Sequence, residues 1–85
     1  MEYLLSTYGK YGITEDLILR LVKQAKRDFG YSTEQALALL KYTMGVMFHN
    51  DKETFSIRET SLITGKDFHT ILRQMEKLTT SEKFV

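Results

Sequence analysis

The side chains best suited to bind a ligand lie on one helical face near the end of this 85-residue chain. At about 100° per residue, Thr70, Arg73 and Lys77 fall within about 40° of Lys66, so three positive charges and a hydroxyl share one side. Such a face can donate hydrogen bonds to the phosphates and base edges of DNA. The candidate DNA-binding residues are Lys66, His69, Thr70, Arg73, Gln74 and Lys77. The alternative interpretation is a solvated face, or a face that contacts another kind of partner.

The residue types give little support to disulfide formation, metal binding or catalysis. The chain has no cysteine, which excludes disulfides, thiolate metal sites and a cysteine nucleophile. His49 and His69 do not stand in the H-x-x-x-H or H-E-x-x-H spacing of metal sites, and no motif of nucleophilic catalysis is present. We therefore expect no catalytic residue, no metal site and no cofactor, in a protein that is not an enzyme.

Helix-starting and helix-stopping residues divide the chain into its expected elements. Thr14 can cap a helix that Gly30 ends, Ser32 and Gln35 have the spacing of a capping box, and Ser56 begins a second box. The predicted helices span about 15–29, 33–48, 57–64 and 68–78, after an N-terminal arm over 1–13. Within that arm, one or two helical turns could form from Tyr3, Leu4, Leu5 and Tyr8 before Gly9 and Gly12 end them. These elements predict an all-α fold, a small four-helix bundle in a single domain over residues 1–85.

Composition narrows the functional classes further. Twelve basic and eleven acidic residues give a net charge of +1, whereas strong nucleic-acid binders usually have a pI above about 9. Any contact with DNA must therefore come from local patches of positive charge. The longest apolar run is residues 36–40, far short of the roughly 20 residues of a membrane span, and the first residues lack the basic region of a signal peptide. We expect a cytoplasmic protein with no membrane partner.

The most specific motif is R-E-T-S-L-I-T-G at residues 58–65, followed by T-I-L-R at residues 70–73. Over residues 57–78 the chain resembles the helix-turn-helix of MerR-type regulators and phage excisionases. Ser61 provides the small residue where the two helices cross, and Gly65 can adopt the positive φ of the tight turn. Thr60 and Lys66 stand where the family prefers apolar residues. The resemblance implies a small DNA-binding transcription regulator, of phage or plasmid type given its size, with double-stranded DNA as partner.

The helix predicted over 33–48 supports a competing function, because its apolar residues share no single face. Such a helix is either the central one of the fold or half core and half interface. We predict a homodimer through Leu39, Val46 and Met47, since exposed apolar patches usually mark interfaces. The alternative function is a helical protein–protein interaction module, such as a small inhibitor or adaptor. Residues 4–26 are also similar to the helical module of DnaD-type primosome proteins, which implies a link to replication.

A second basic group lies on the helix predicted over 15–29. It consists of Arg20, Lys23, Lys26 and Arg27. These cations could contact phosphates without reading sequence, or form a solvated face with positive charge near the helix C-terminus. Leu19 falls outside the apolar stripe of the same helix, which indicates a contact with another element.

Overall fold

A computed structural model describes residues 2–48 and 57–81 of the chain, and these residues fold into helices without any strand. The prediction of an all-α protein is confirmed. Five α-helices are present: α1 (Glu2–Tyr8), α2 (Glu15–Phe29), α3 (Thr33–Met47), α4 (Ile57–Thr64) and α5 (Phe68–Ser81). Within the described ranges, no helix combines the length and the apolar composition that a membrane crossing requires.

The N-terminal arm contains a fifth helix, α1, so the predicted count of four helices is wrong. Leu4 and Tyr8 of α1 are fully buried, and a short 3-10 turn at Gly9–Tyr11 follows. Ring stacking of Tyr11 on Phe48, with centroids 4.5 Å apart, attaches this segment to the end of α3. Aromatic burial against α3 therefore orders a stretch that is too short to be stable as an isolated helix.

Helix α2 is bounded by the two capping residues that the sequence predicts, Thr14 and Gly30. The Thr14 hydroxyl accepts a hydrogen bond from the Leu17 N–H at 3.2 Å, and Gly30 ends the helix with a φ of 70°. Only glycine adopts this left-handed conformation without steric cost. Residues that recur at helical spacing form the buried face, which consists of Leu17, Ile18, Leu21, Val22 and Ala25.

Helix α3 is the central helix of the fold. Its N-terminus has the complete capping box: the Gln35 N–H donates to the Ser32 hydroxyl at 3.2 Å, and the Ser32 N–H donates to the Gln35 side chain at 2.9 Å. The body of the helix packs against α2, α4 and α5. Three partners on different sides explain why apolar residues surround this helix, which is mainly core.

The three residues predicted for a dimer interface differ in their burial. Leu39 is fully buried within the chain itself, so its assignment to an interface between two copies is wrong. The physical reason is that α3 is covered by three helices of the same chain. Val46 is exposed and Met47 is half-buried at the C-terminal end of α3.

Two substitutions in α3 distinguish core from surface. We expect Leu39→Ala to lower the free energy of unfolding by about 2–5 kcal/mol, because it opens a cavity in a packed core. We expect Val46→Ala to change it by less than about 1 kcal/mol, because that side chain is partly solvated already. Urea denaturation followed by circular dichroism measures both values. Equal costs at the two positions would contradict the burial of Leu39.

Candidate nucleic-acid interface

A three-residue turn joins α4 to α5 and sets their relative placement. Gly65 has a φ of 73°, and its N–H donates to the Ser61 carbonyl at 2.8 Å. The Ser61 hydroxyl donates to the Lys66 carbonyl, so one small side chain ties the last turn of α4 to the residue after the glycine. Gly65 is required here because a Cβ would be strained at this positive φ even though the space around it is open.

Asp67 caps the N-terminus of α5. Its Oδ1 atom accepts a hydrogen bond from the Thr70 N–H at 2.8 Å. Hydrogen bonds from the side chain and the backbone of Thr70 hold the pKa of Asp67 below its ordinary value, and the nearby charges of His69 and Arg73 lower it further. The carboxylate therefore stays ionised at the positive end of the helix, where it is favourable.

The apolar stripe that the sequence predicts for α5 consists of Phe68, Ile71, Leu72, Met75 and Leu78. The buried face in the structure differs from this stripe. Ile71 and Leu78 are fully buried, but Phe68 is 47% exposed and Leu72 is 41% exposed. Gln74, which is only 8% exposed, takes a place in the core instead. Relative to the predicted stripe, the helix is turned by about 60° around its axis.

A buried hydrogen bond accounts for this orientation. The Tyr31 hydroxyl, which lies between α2 and α3, donates to the side-chain oxygen of Gln74. Burial raises the pKa of Tyr31, and hydrogen bonds with Gln74 and with Thr64 of α4 lower it in part. Tyr31 thus connects the α2–α3 junction to both α4 and α5. Gln74 is buried and hydrogen-bonded in the core, so its assignment to the DNA-contacting face does not fit its position in the structure.

Two neighbouring depressions on α5 contain most of the candidate residues. Thr70, Arg73, Gln74 and Lys77 line the first, of about 320 Å³, together with Phe29 of α2. The second, of about 440 Å³, is lined by His69, Leu72, Arg73 and Glu76. Arg73 belongs to both depressions, whereas Lys66 is exposed in the turn and lines neither.

The electrostatic character of the two depressions differs. The first contains the cations of Arg73 and Lys77 without an acidic neighbour in its lining, whereas Glu76 adds a negative charge to the second. The Arg73 side chain makes no hydrogen bond or ion pair with any other residue of the described ranges. Its guanidinium is therefore available to an external acceptor.

Phe29 also belongs to this surface, although it is not among the residues predicted for it. Its helical phase placed it in the apolar stripe of α2, and the structure leaves it half-buried beside Arg73 and Lys77. The predicted cap at Ser56 and the histidine at position 49 lie outside the described residues. Among the residues that are described, no group of three His, Asp or Glu side chains is arranged to hold a metal ion.

Comparison with protein-family models, with curated proteins and with solved structures finds no match to this chain. A functional assignment therefore depends on the residues of the chain and on their geometry.

The Tyr31–Gln74 hydrogen bond can be tested by removing its donor. We expect Tyr31→Phe to lower the free energy of unfolding at neutral pH by about 1–3 kcal/mol, because the Gln74 oxygen then stays buried without that donor. Tyr11→Phe is a matched control. Tyr11 is exposed and its ring contact does not need the hydroxyl, so we expect a change within about 0.5 kcal/mol. Equal effects in the two variants would contradict the role of the bond.

The same variant should change the response of the protein to alkali. Burial holds the pKa of Tyr31 above the ordinary value of 10.0 in the folded state, so the unfolded chain releases this proton first. The contribution of Tyr31 to stability is complete below that ordinary pKa and is lost as the pH rises toward the folded-state value. Urea denaturation between about pH 8 and pH 11 should therefore show a shallower alkaline decline for Tyr31→Phe than for wild type. Identical slopes would argue against a buried Tyr31 hydroxyl.

Proposed function

We propose that this chain binds double-stranded DNA through the exposed face of α5, as a small regulator of the helix-turn-helix type. The observation that carries the proposal is the position of Arg73, which is shared by both depressions and has no hydrogen-bonding partner in the described part of the chain. An exposed arginine in the middle of a surface helix fits the bidentate contact that proteins make to guanine O6 and N7.

The neighbouring residues have different roles in this proposal. Lys77 shares the first depression with Arg73 and is placed for a phosphate, and Lys66 in the turn is a second phosphate ligand. His69 is an exposed donor beside Arg73 in the second depression. Thr70 is half-buried and bonded to Asp67, so it holds the start of α5 in place and is a weaker candidate for base contact.

The connection between α4 and α5 supports the helix-turn-helix interpretation. Three residues separate the helices, Gly65 takes the left-handed conformation, and the small side chain of Ser61 bridges the turn. Thr60, where the resemblance favours an apolar residue, is fully buried, and its carbonyl accepts from the Thr64 hydroxyl at 2.8 Å. A threonine is tolerated at this buried position, because among the described residues no buried side-chain oxygen or nitrogen lacks a hydrogen-bond partner.

More specifically, we propose a cytoplasmic regulator of phage or plasmid type. Two copies related by a two-fold axis would suit a palindromic site, and the exposed Val46 with the half-buried Met47 offers a contact between them. Sedimentation at tens of micromolar is the direct test of this association. A dimer that Val46→Glu dissociates would support it, and a monomer would contradict it.

A second candidate function is binding to a protein partner, as a small inhibitor or adaptor with a link to replication. Its specific support is the apolar surface that Phe68 and Leu72 present one helical turn apart on α5, with Leu62 of α4 also exposed. Exposed apolar side chains of this size are typical of protein interfaces. They lie on the same helix as Arg73, so the two functions compete for one surface.

DNA binding by Arg73 can be tested after selection of a preferred duplex from a random pool. We expect Arg73→Ala to weaken binding to that duplex by about 1–3 kcal/mol and to relax preference at one position, because a bidentate base contact is lost. Arg20→Ala is the matched control for base preference: this exposed arginine on α2 pairs with Asp16 at 3.3 Å, and a phosphate contact from it would carry no sequence information, so we expect the preference to stay unchanged. Fluorescence polarisation measures binding, and circular dichroism verifies the fold.

Lys77→Ala distinguishes phosphate contact from base contact in the same assay. It should weaken binding to all duplexes alike and lower the slope of log affinity against log salt by about 1. If folded Arg73→Ala binds the selected and scrambled duplexes as wild type does, α5 is not the recognition helix. If the wild type binds no duplex even at low salt, the protein-partner function takes first place.

A further inference from the structure

A groove lies between α2 and α3, and none of the candidate DNA-binding residues of α5 lines it. It has a volume of about 540 Å³ and is open to solvent on one side. The lining residues come from the two helices that a three-residue connection joins: Leu19, Val22, Lys23, Lys26, Arg27, Thr33 and Leu37. Leu19, the residue that does not fit the apolar stripe of α2, is 47% exposed at this groove.

The residues of α2 that line the groove follow one face of the helix. Leu19, Val22, Lys23 and Lys26 stand at positions i, i+3, i+4 and i+7, which stack along a helix over two turns. Leu37 of α3 is half-buried opposite them. The groove therefore offers a linear apolar strip with cations along its edge, rather than a closed pocket.

The positive charge of this edge is largely uncompensated. Arg27 has a carboxylate of its own, since it pairs with Asp28 at 3.0 Å. Lys26 donates to the neutral hydroxyl of Thr33 at 3.2 Å, and Lys23 has no hydrogen bond or ion pair with another described residue. None of the seven lining residues is acidic. Two ammonium groups thus border an apolar strip without a counter-charge in that lining.

We propose that this groove binds an acidic amphipathic helix of a partner protein. A helix laid between α2 and α3 can place apolar side chains on Leu19, Val22 and Leu37, and carboxylates at Lys23 and Lys26. The complementary charge would raise the association rate and set the orientation, while the apolar contacts provide most of the affinity.

Other occupants fit the groove less well. Small-molecule sites enclose most of the ligand surface, whereas this groove is open to solvent. Duplex DNA would use the cations but would leave Leu19 and Leu37 uncovered, since phosphates gain nothing from apolar side chains. An acidic helix is the occupant that satisfies both the charge and the apolar strip.

The experiment selects ligands from a phage-displayed library of random peptides of about 16 residues, roughly four helical turns, against the whole chain. We expect enriched peptides to combine apolar residues at helical spacing with carboxylates. Fluorescence polarisation of a labelled, synthesised peptide should show weaker binding at higher salt. Both Leu19→Glu and Lys23→Glu should weaken it by about tenfold or more, because an apolar anchor or a complementary charge is lost.

Lys77→Glu is the matched control, because it makes the same charge change on α5 at a residue that does not line the groove. It should leave peptide binding unchanged. Leu19→Ala, which removes apolar surface without adding charge, should weaken the peptide to a smaller extent. The altered side chains of the groove are exposed, and circular dichroism verifies the fold of each variant.

Three outcomes would overturn the proposal. The first is an absence of enriched peptides, and the second is peptides that bind the Leu19→Glu and Lys23→Glu variants as tightly as wild type. The third is a loss of duplex DNA binding in Lys23→Glu with peptide binding unchanged, which would identify the group as a phosphate contact. Because Arg73→Ala tests α5 separately, failure of the groove and failure of the DNA-binding surface can be distinguished.

Discussion

The hydrogen bond between Tyr31 and Gln74 is the interaction on which the orientation of α5 depends. Both side chains are buried, and their residues are 43 positions apart in the chain. A buried polar group without a partner costs about 1–3 kcal/mol, so α5 cannot rotate Gln74 outward without losing the bond that satisfies the Tyr31 hydroxyl. Arg73, the next residue back, lies about 100° around the helix and is thereby directed to solvent.

This orientation creates the surface that the protein offers to a partner. It brings Arg73 and Lys77 together with Phe29 of α2 in one depression, and it leaves Phe68 and Leu72 exposed. A hydrogen bond between Lys26 and Thr33 spans the same junction between α2 and α3, and both residues line the groove. Although the net charge is only +1, the protein has two local cationic surfaces. The surface on α5 is polar, and the surface along the groove between α2 and α3 borders an apolar strip.

The helices could largely be predicted from the sequence, because their boundaries depend on local signals. Thr14, Gly30, the Ser32 capping box and Gly65 act within a few residues of themselves, and the predicted ranges 15–29 and 57–64 coincide with α2 and α4. For the N-terminal arm, the sequence leaves one or two helical turns open and does not decide on a helix, because the order of this segment comes from aromatic contacts with the distant end of α3.

The candidate site could be predicted only in part, because rotation about a helix axis is a tertiary property. The apolar pattern of α5 places Phe68 and Leu72 in the core, since periodicity cannot show that a glutamine pairs with a tyrosine from another element. Arg73, Lys77 and Thr70 still share one depression, because a rotation of about 60° leaves the middle of a broad polar face on the outside of the fold. Leu39 could not be assigned from sequence for a related reason: a helix that is apolar all round does not show which side is covered.

Thiol reactivity at two positions of α5 tests its orientation most directly and leaves the Tyr31–Gln74 pair intact. The chain has no cysteine, so Leu72→Cys and Leu78→Cys each carry a single thiol, with Ile71→Cys as a second fully buried reference. The apolar pattern of the sequence would bury both leucines, whereas the structure leaves Leu72 41% exposed and buries Leu78 fully. In folded protein, we expect the thiols at positions 78 and 71 to react with a disulfide reagent at least about 100-fold more slowly than the thiol at position 72, because their reaction requires the protein to open. Equal rates at positions 72 and 78, with the helical fold intact, would contradict the account.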